Sequence, residues 1–303
     1  MRLDGLRPLL GRSLFAAVLL AAAPAGAASP PLPAIQTPAT TEHHAGKVIF
    51  VELVTPDLAA AKQFYGGLFG WTFRDLDLAG MPYAEAMLGD EAVAGLLQRP
   101  MQAGGQRQPA WLSYFAVPDV DTVEQAALQH GAKRLFAPHS FPNRGREAVL
   151  ADPQGAVFAI LNSSSGDPPD LLADPGEWIW SSLITTDPDA DAGFYQTVFG
   201  YDVFELPGKG SAPHLMLSSD GYARATVNPL PADRPTVHPR WVNYVRVEDA
   251  AAAAAKVTAL GGRVLVAPLV EPDGGTVAIV ADPAGAPFGL LQWANGESKE
   301  ALP

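Results

Sequence analysis

The sequence contains no cysteine among its 303 residues. This absence excludes disulfides, thiolate zinc sites, cysteine nucleophiles and a lipid anchor attached through an N-terminal cysteine. It does not indicate a compartment, because a cysteine-free chain is stable under oxidising and reducing conditions alike. A phosphate-binding loop, a G-x-S-x-G elbow and an H-E-x-x-H helix are also absent from the sequence, which excludes the enzyme classes that depend on them.

Positive charge is scarce. The chain has 20 Lys and Arg against 32 Asp and Glu, for a formal net charge of −12. Because phosphate recognition depends on Lys and Arg, such a chain is a poor candidate for binding nucleic acid or an anionic membrane surface. We therefore predict no nucleic-acid partner, and no membrane partner after the N-terminal segment has been cleaved.

Long apolar runs are missing except near the N-terminus. Three arginines within the first 12 residues precede Ser13–Ala23, which is apolar but short for a membrane span. Ala25-Gly26-Ala27 then supplies the small residues of a cleavage site. This pattern predicts a signal peptide at 1–27 and an exported protein, periplasmic or secreted. The alternative is an uncleaved amphipathic anchor.

The rest of the chain is typical of a packed globular protein, with 48% hydrophobic and 17% charged residues overall. Residues 28–46 are rich in Pro, Ala and Thr without an apolar period, so we expect a disordered tether carrying solvated His43 and His44. Residues 294–303 are expected to form a C-terminal tail.

Most of the chain is an internal repeat. Lys47–Trp71 reads as strand, helix and strand, and it returns as Glu177–Tyr201. Phe64-Tyr65 recurs as Phe194-Tyr195, and later motifs keep the same spacing of 130 residues. The repeat predicts one domain at 47–163, a linker at 164–176 and a second domain at 177–293, each with its own core.

Each copy divides again into two strand–helix–strand–strand–strand units. In the first unit, Asp57 suits a helix N-cap and Gly70 a helix C-terminus. The loop 101–109 precedes a second strand and helix, and Asp152-Pro153-Gln154-Gly155 has the composition of a type I turn. The predicted class is α+β, with four βαβββ modules, two in each copy.

This arrangement resembles the vicinal oxygen chelate superfamily, which includes glyoxalase I, extradiol dioxygenases and bleomycin-resistance proteins. The resemblance rests on VELVTPDLAAAKQFYGGLFGW, WLSYFAVPDVDTVEQAALQHGAK and ADPQGAVFAIL, each with its repeat in the second copy. It implies two tandem domains, in each of which two βαβββ modules form a partly open barrel around a cavity.

The resemblance also implies a divalent metal held by His, Gln or Glu on the barrel strands. The six places that correspond to such ligands hold residues without a donor atom: Phe50, Leu112, Ala159, Trp180, Val242 and Gly289. We therefore predict no metal and no cofactor, and we name no catalytic residue.

Four residues are candidates for binding a ligand inside the barrels. Glu52 shares the inward parity of Phe50 and would be a general base, or else a strand-edge glutamate or the partner of an arginine. Tyr114 and Tyr244 would orient a ligand or fill the core. Trp180 would line the second cavity or fill it.

The remaining ionisable candidates have simpler predicted roles. His139 and His214 are expected to be ordinary surface or core residues, and Arg144, Arg146 and Glu147 to form a solvated loop. Three functions remain open: a metal-free binding module for a small apolar molecule or a partner protein, a metal-dependent lyase, isomerase or dioxygenase with a non-standard site, and a structural protein with filled cavities.

Overall fold

The computed structural model describes residues 31–78, 80–101, 108–206, 214–231, 237–271 and 274–293. The predicted signal peptide and C-terminal tail lie outside the described residues. In the part of the chain that is described, none of the helices combines the length and the apolarity that crossing a membrane requires.

The first copy contains two modules of the predicted order. The first module runs β1 (Val48–Thr55), α1 (Leu58–Phe69), β2 (Thr72–Leu78), β3 (Met81–Leu88) and β4 (Glu91–Gln98). The second runs β5 (Ala110–Ala116), α2 (Val120–Gln129), β6 (Lys133–Phe141), β7 (Gly145–Ala151) and β8 (Val157–Ser163).

The second copy repeats this order. Its first module runs β9 (Trp178–Thr185), α3 (Pro188–Phe199), β10 (Asp202–Glu205), β11 (Leu215–Ser219) and β12 (Tyr222–Pro229). Its second runs β13 (Arg240–Val247), α4 (Ala250–Ala259), β14 (Arg263–Val270), β15 (Thr276–Ala281) and β16 (Pro287–Gln292).

The helices begin and end where local chemistry predicts. The Asp57 side chain accepts a hydrogen bond from the backbone N–H of Ala60 at 2.9 Å, which satisfies an N-terminal donor of α1. Gly70 ends α1 in the left-handed conformation at φ 78°, where glycine avoids the steric cost of a Cβ. The equivalent Asp187 and Gly200 perform the same roles in α3.

Each copy forms one eight-stranded mixed sheet. In the first sheet the strands follow the order β2-β3-β4-β1-β5-β8-β7-β6, and the second sheet has the equivalent order. The edge strands β2 and β6 do not pair with each other, so the sheet remains a partly open barrel. The predicted α+β class with tandem domains of two βαβββ modules is confirmed.

The 130-residue correspondence shifts by one residue in one part of the sheets. Glu52 on β1 pairs with Gly95 on β4, whereas its counterpart Ser182 on β9 pairs with Thr226 on β12. The structural counterpart of Gly95 is therefore Thr226, at a spacing of 131. The shift extends into β11, where it makes His214 the counterpart of Tyr83.

The main hydrophobic core lies between the two copies. Helices on one sheet pack against helices on the other, α1 with α4 and α2 with α3. Both core clusters contain residues of both copies; in one, Phe64 and Tyr65 of α1 pack on Phe288 of β16. The prediction that each copy has its own core does not hold for these two clusters, because the apolar helix faces that cover one sheet are buried by the other copy. The third cluster lies within the first copy and the segment before it.

Hydrogen bonds across this interface are reciprocal. The Tyr65 hydroxyl donates to Asp282 Oδ2 at 3.2 Å, and the equivalent Tyr195 hydroxyl donates to Asp152 Oδ2 at 3.1 Å. Since the tyrosine of each copy contacts the equivalent aspartate of the other, the copies are related by a pseudo-twofold axis, as the subunits of a symmetric dimer are.

Part of the segment before β1 is packed, contrary to the tether predicted from its composition, whereas residues 37–43 are exposed, with the predicted solvated His43 among them. Leu32 and Ile35 are 5% and 7% exposed, and they join a cluster on the inner face of the first sheet. Backbone hydrogen bonds hold the segment to the inter-copy linker, among them Thr40 N–H to the Ser165 carbonyl at 2.8 Å. Its composition gave no sign of this packing, because the burial depends on a cavity formed by residues distant in sequence.

Candidate ligand-binding sites

Each sheet has one face toward the helices and one concave face. Along a strand alternate side chains point to opposite faces, so Leu53 of β1 packs in the inter-copy core while Glu52 faces the concave side. We call the space on the concave side of the first sheet the first cavity, and that of the second sheet the second cavity. The candidates Glu52 and Tyr114 lie in the first, and Trp180 and Tyr244 in the second.

Ionisable side chains are concentrated in the first cavity. Glu52 is 3% exposed, and the Tyr114 hydroxyl donates to its Oε1 at 3.4 Å. Arg144 and Glu147 are each 1% exposed in the same cavity. Burial raises the pKa of Glu52 while the charge of Arg144 opposes the rise, which places Glu52 beside an arginine, one of its predicted roles. Burial also raises the pKa of Glu147 to about 8.

The predicted solvated loop is therefore wrong for Arg144 and Glu147. The Arg144 guanidinium lies 4.1 Å from the centre of the Phe50 ring, and its Nε donates to the Pro33 carbonyl at 2.7 Å. Residues 31–36 lie over Arg144 on this face, a contact that the local composition does not indicate. Arg146 does remain partly exposed, and it pairs with Asp121 at 2.7 Å.

The second cavity contains a network of uncharged hydrogen-bonding groups centred on Thr226. Its Oγ1 accepts from Trp180 Nε1 at 3.2 Å and from Asn228 Nδ2 at 3.2 Å, and it lies 2.7 Å from Ser182 Oγ. His214 Nδ1 lies 2.9 Å from Asn228 Oδ1 and extends the network. The one sequence signal for Thr226 and Asn228 was the alternation of side chains along β12. The one-residue shift concealed which residues of the first copy they correspond to.

Tyr244 forms the floor of the second cavity. It pairs with Trp180 on the adjacent strand and with Gly289 on the next. The ring lies flat on Gly289, where an added Cβ would stand 2.0 Å from Tyr244 Cδ1. Burial raises the pKa of the Tyr244 hydroxyl, and a hydrogen bond with Ser182 opposes that rise.

The walls of the second cavity are apolar and partly accessible. Trp180 is half-buried, as are five aliphatic or thioether side chains on the same face: Ile184, Met216, Val277, Ile279 and Leu291. By contrast, the corresponding face of the first sheet is closed by Leu32 and Ile35. A concave, mainly apolar surface with a few convergent polar groups is the usual form of a small-molecule site.

The described residues of the two cavities do not offer the set of metal-binding atoms that a divalent metal requires. The six places that correspond to metal ligands in the family hold side chains without a metal-binding atom, or glycine. Trp180 is the one with a nitrogen, but its indole N–H donates hydrogen bonds and has no lone pair for a metal. The Tyr244 ring covers the place at Gly289. Among the residues that the structure describes, no three His, Cys, Asp or Glu side chains converge on one point. The residues present do not fit a catalytic metal centre.

Comparison with known proteins gives matches in both copies. Residues 43–160 match the family model of the Glyoxalase/Bleomycin resistance protein/Dioxygenase superfamily, and residues 181–291 match that of the Glyoxalase-like domain. The chain is 32% identical over 259 residues to the protein named "Putative glyoxylase CFP32" of Mycobacterium tuberculosis, covering 84% of this chain and 98% of that protein.

Two further similarities extend over most of the chain. The anthracycline biosynthesis protein DauV of Streptomyces sp. (strain C5) is 29% identical over 275 residues, which are 85% of this chain and 95% of DauV. The Mn(II)-bound glyoxalase of Novosphingobium aromaticivorans superposes with a TM-score of 0.57 at 16% identity, over 86% of each chain. At that identity the structural similarity shows the fold alone.

Proposed function

Since the chain belongs to the Glyoxalase/Bleomycin resistance protein/Dioxygenase superfamily, we propose that it is an exported, metal-independent binding protein whose second cavity holds a small apolar aromatic molecule. The observation that carries this proposal is the half-buried Trp180 above the uncharged network around Thr226. An indole face offers a large apolar surface with a geometric preference for stacked or edge-on rings.

The polar groups limit the chemistry of the ligand. Ser182, Thr226 and Asn228 are uncharged, as is Tyr244, whose hydroxyl pKa is raised by burial. Such groups hydrogen-bond a carbonyl or hydroxyl oxygen. The charge of Glu271, which adds to the rise in the Tyr244 pKa, disfavours an anionic ligand. We infer a neutral, planar ligand with one or two oxygen substituents.

One relative supports this ligand class. DauV is named for anthracycline biosynthesis, and anthracyclines contain a flat polycyclic quinone. A hydroxylated polycyclic quinone combines an apolar ring system with neutral oxygens, as the second cavity requires.

The binding test is calorimetric titration with 1,8-dihydroxyanthraquinone. We expect Trp180→Ala to abolish measurable binding, and Thr226→Val to weaken it about 5-fold, because one hydrogen bond contributes about 1 kcal/mol. Thr258→Val is the matched control, since Thr258 lies on α4, where its hydroxyl bonds to the Ala254 carbonyl. Excess chelator should leave binding unchanged. Equal affinity in the Trp180 variant and the parent chain would rule the second cavity out.

Export is proposed from the basic, apolar and small-residue order of the first 27 residues. N-terminal sequencing of the protein from its native host should find a chain that begins near Ala28. A mature chain that still begins at Met1 would contradict export.

A further inference from the structure

The first cavity contains charges that the fold does not need. Its buried Glu52, Arg144 and Glu147 correspond to Ser182, Gly274 and Val277 of the second copy. The second copy folds into the same sheet with uncharged residues at these places. Burying charged groups is unfavourable unless they are fully paired, so a role other than folding is indicated for them.

The pairing in the first cavity is incomplete. Arg144 Nη2 and Glu147 Oε2 are buried, and neither has a hydrogen-bond partner among the described residues. Arg144 Nε donates to the Pro33 carbonyl, and the guanidinium also hydrogen-bonds the Tyr83 hydroxyl. Burial raises the pKa values of both Glu52 and Glu147, and the charges of two arginines, Arg144 and Arg99, act on Glu52. The cavity can therefore accept an anion.

The chain itself occupies this space. Leu32 and Ile35 place apolar side chains against the concave face, and Pro33 places a carbonyl oxygen on Arg144. Residues 31–46 form no helix or strand. Their anchors near the cavity include the Leu32 N–H to the Pro142 carbonyl at 3.2 Å, and the Ile35 and Gln36 N–H groups, both to Ser165 Oγ at 3.0 Å. A segment held by a few local bonds opens more readily than a sheet.

We propose that the first cavity is a second ligand site, for a small aromatic carboxylate, and that residues 32–36 are its built-in occupant, which the ligand displaces. The Pro33 carbonyl stands where a carboxylate oxygen of the ligand binds. Arginine pairs with carboxylates through two parallel hydrogen bonds, which would satisfy Nη2 as well as Nε. The Phe50, Tyr83 and Tyr114 rings line the space for an aromatic body.

The occupant lowers the apparent affinity, because a ligand binds only the fraction of chains whose cavity is vacant. Leu32→Glu/Ile35→Glu in the full chain should release the segment, since two carboxylates cannot remain in the apolar cluster. We expect this variant to bind 2-naphthoate at least 10-fold more tightly than the parent chain. Leu171→Glu, on a linker side chain that is 79% exposed, is the matched control and should bind as the parent does.

Two further measurements decide the location and the mechanism. Adding Arg144→Gln to the released variant should abolish 2-naphthoate binding, whereas adding Trp180→Ala should leave it unchanged, which separates this site from the second cavity. In the parent chain, millimolar 2-naphthoate should speed hydrogen exchange at the Ile35 and Gln36 amides; this holds even if the released variant fails to fold.

The proposal is overturned by a folded released variant that binds no more tightly than the parent. Binding that persists without Arg144 would equally overturn it. So would exchange at Ile35 and Gln36 that stays the same in millimolar 2-naphthoate.

Discussion

At the scale of single residues, Asp191 shows how one side chain can make stability depend on pH. It is 1% exposed at the start of α3, where the first copy has Ala61. The Thr185 hydroxyl donates to its Oδ2, and burial, with the nearby charge of Asp152, raises its pKa from 3.8 to about 7. Between these values the folded protein keeps a proton that the unfolded chain releases. Stability must therefore fall as pH rises from about 4 to about 7.

Asp191→Asn should reduce this dependence, and Glu147, whose pKa is also raised by burial, should retain part of it. We expect the variant to be more stable than the parent chain at pH 8 by about 1–2 kcal/mol, and to lose that advantage near pH 4. Urea unfolding at a series of pH values measures both. Asp189→Asn changes the same charge at an exposed position of the same turn and should keep the slope of the parent. An unchanged slope in the Asp191 variant would show that another group dominates.

Strand parity predicted the face on which the candidate residues lie, but not all of their neighbours. Glu52, Tyr114, Trp180 and Tyr244 were placed on concave faces by strand parity, and the structure has them there. Arg144 and Glu147 were misread because a charged turn is usually solvated. The Pro33 carbonyl contacts the buried Arg144, and neither periodicity nor composition reports contact between residues about 110 positions apart.

At the scale of elements, the tyrosines of α1 and α3 form hydrogen bonds that connect the two copies. Trp111 Nε1 donates to the Tyr65 hydroxyl at 2.9 Å, and that hydroxyl donates to Asp282 of the other copy. Trp241, Tyr195 and Asp152 repeat the arrangement.

The helices were predictable from apolar spacing and capping aspartates. The one-residue shift in β11 and β12 was not, because the recognisable repeated motifs lie outside these strands.

Tyr65→Phe and Tyr195→Phe should destabilise the protein equally. Each removes one hydroxyl and leaves a buried indole N–H without its acceptor, at a cost of about 1–3 kcal/mol. Chemical unfolding measures the loss, and Tyr222→Phe, at a side chain 41% exposed, should have little effect. A large loss in only one of the two variants would show that the pseudo-twofold contacts are geometrically but not energetically equivalent.

At the scale of the molecule, the interface between copies takes the place of two separate cores. Each of the two large clusters contains helix and strand residues of both copies. The tandem duplication and the partly open barrels were predictable, because repeated motifs report topology. The packing of one copy on the other was not, since the apolar helix face that binds a partner has the same pattern as one that covers its own sheet.

The isolated copies should therefore not persist as folded monomers. Residues 31–166 alone would expose the faces of α1 and α2, including Phe64 and Tyr65, and apolar patches of that kind drive association. Light scattering with circular dichroism should find a dimer, an aggregate or loss of structure for each half. Mixing the halves should restore a one-to-one complex. A folded monomer of either half would contradict the shared core.

The occupied first cavity has a consequence for stoichiometry. Two identical subunits around a twofold axis would have equivalent cavities, both covered or both vacant. Joining the copies in one chain leaves a single segment before β1, and it covers one cavity only. The protein thus has two cavities, and if both proposals hold, only one of them is open to a neutral ligand. A titration with a neutral aromatic ligand should end at one equivalent per chain, and a second equivalent should require an acidic ligand able to expel the segment.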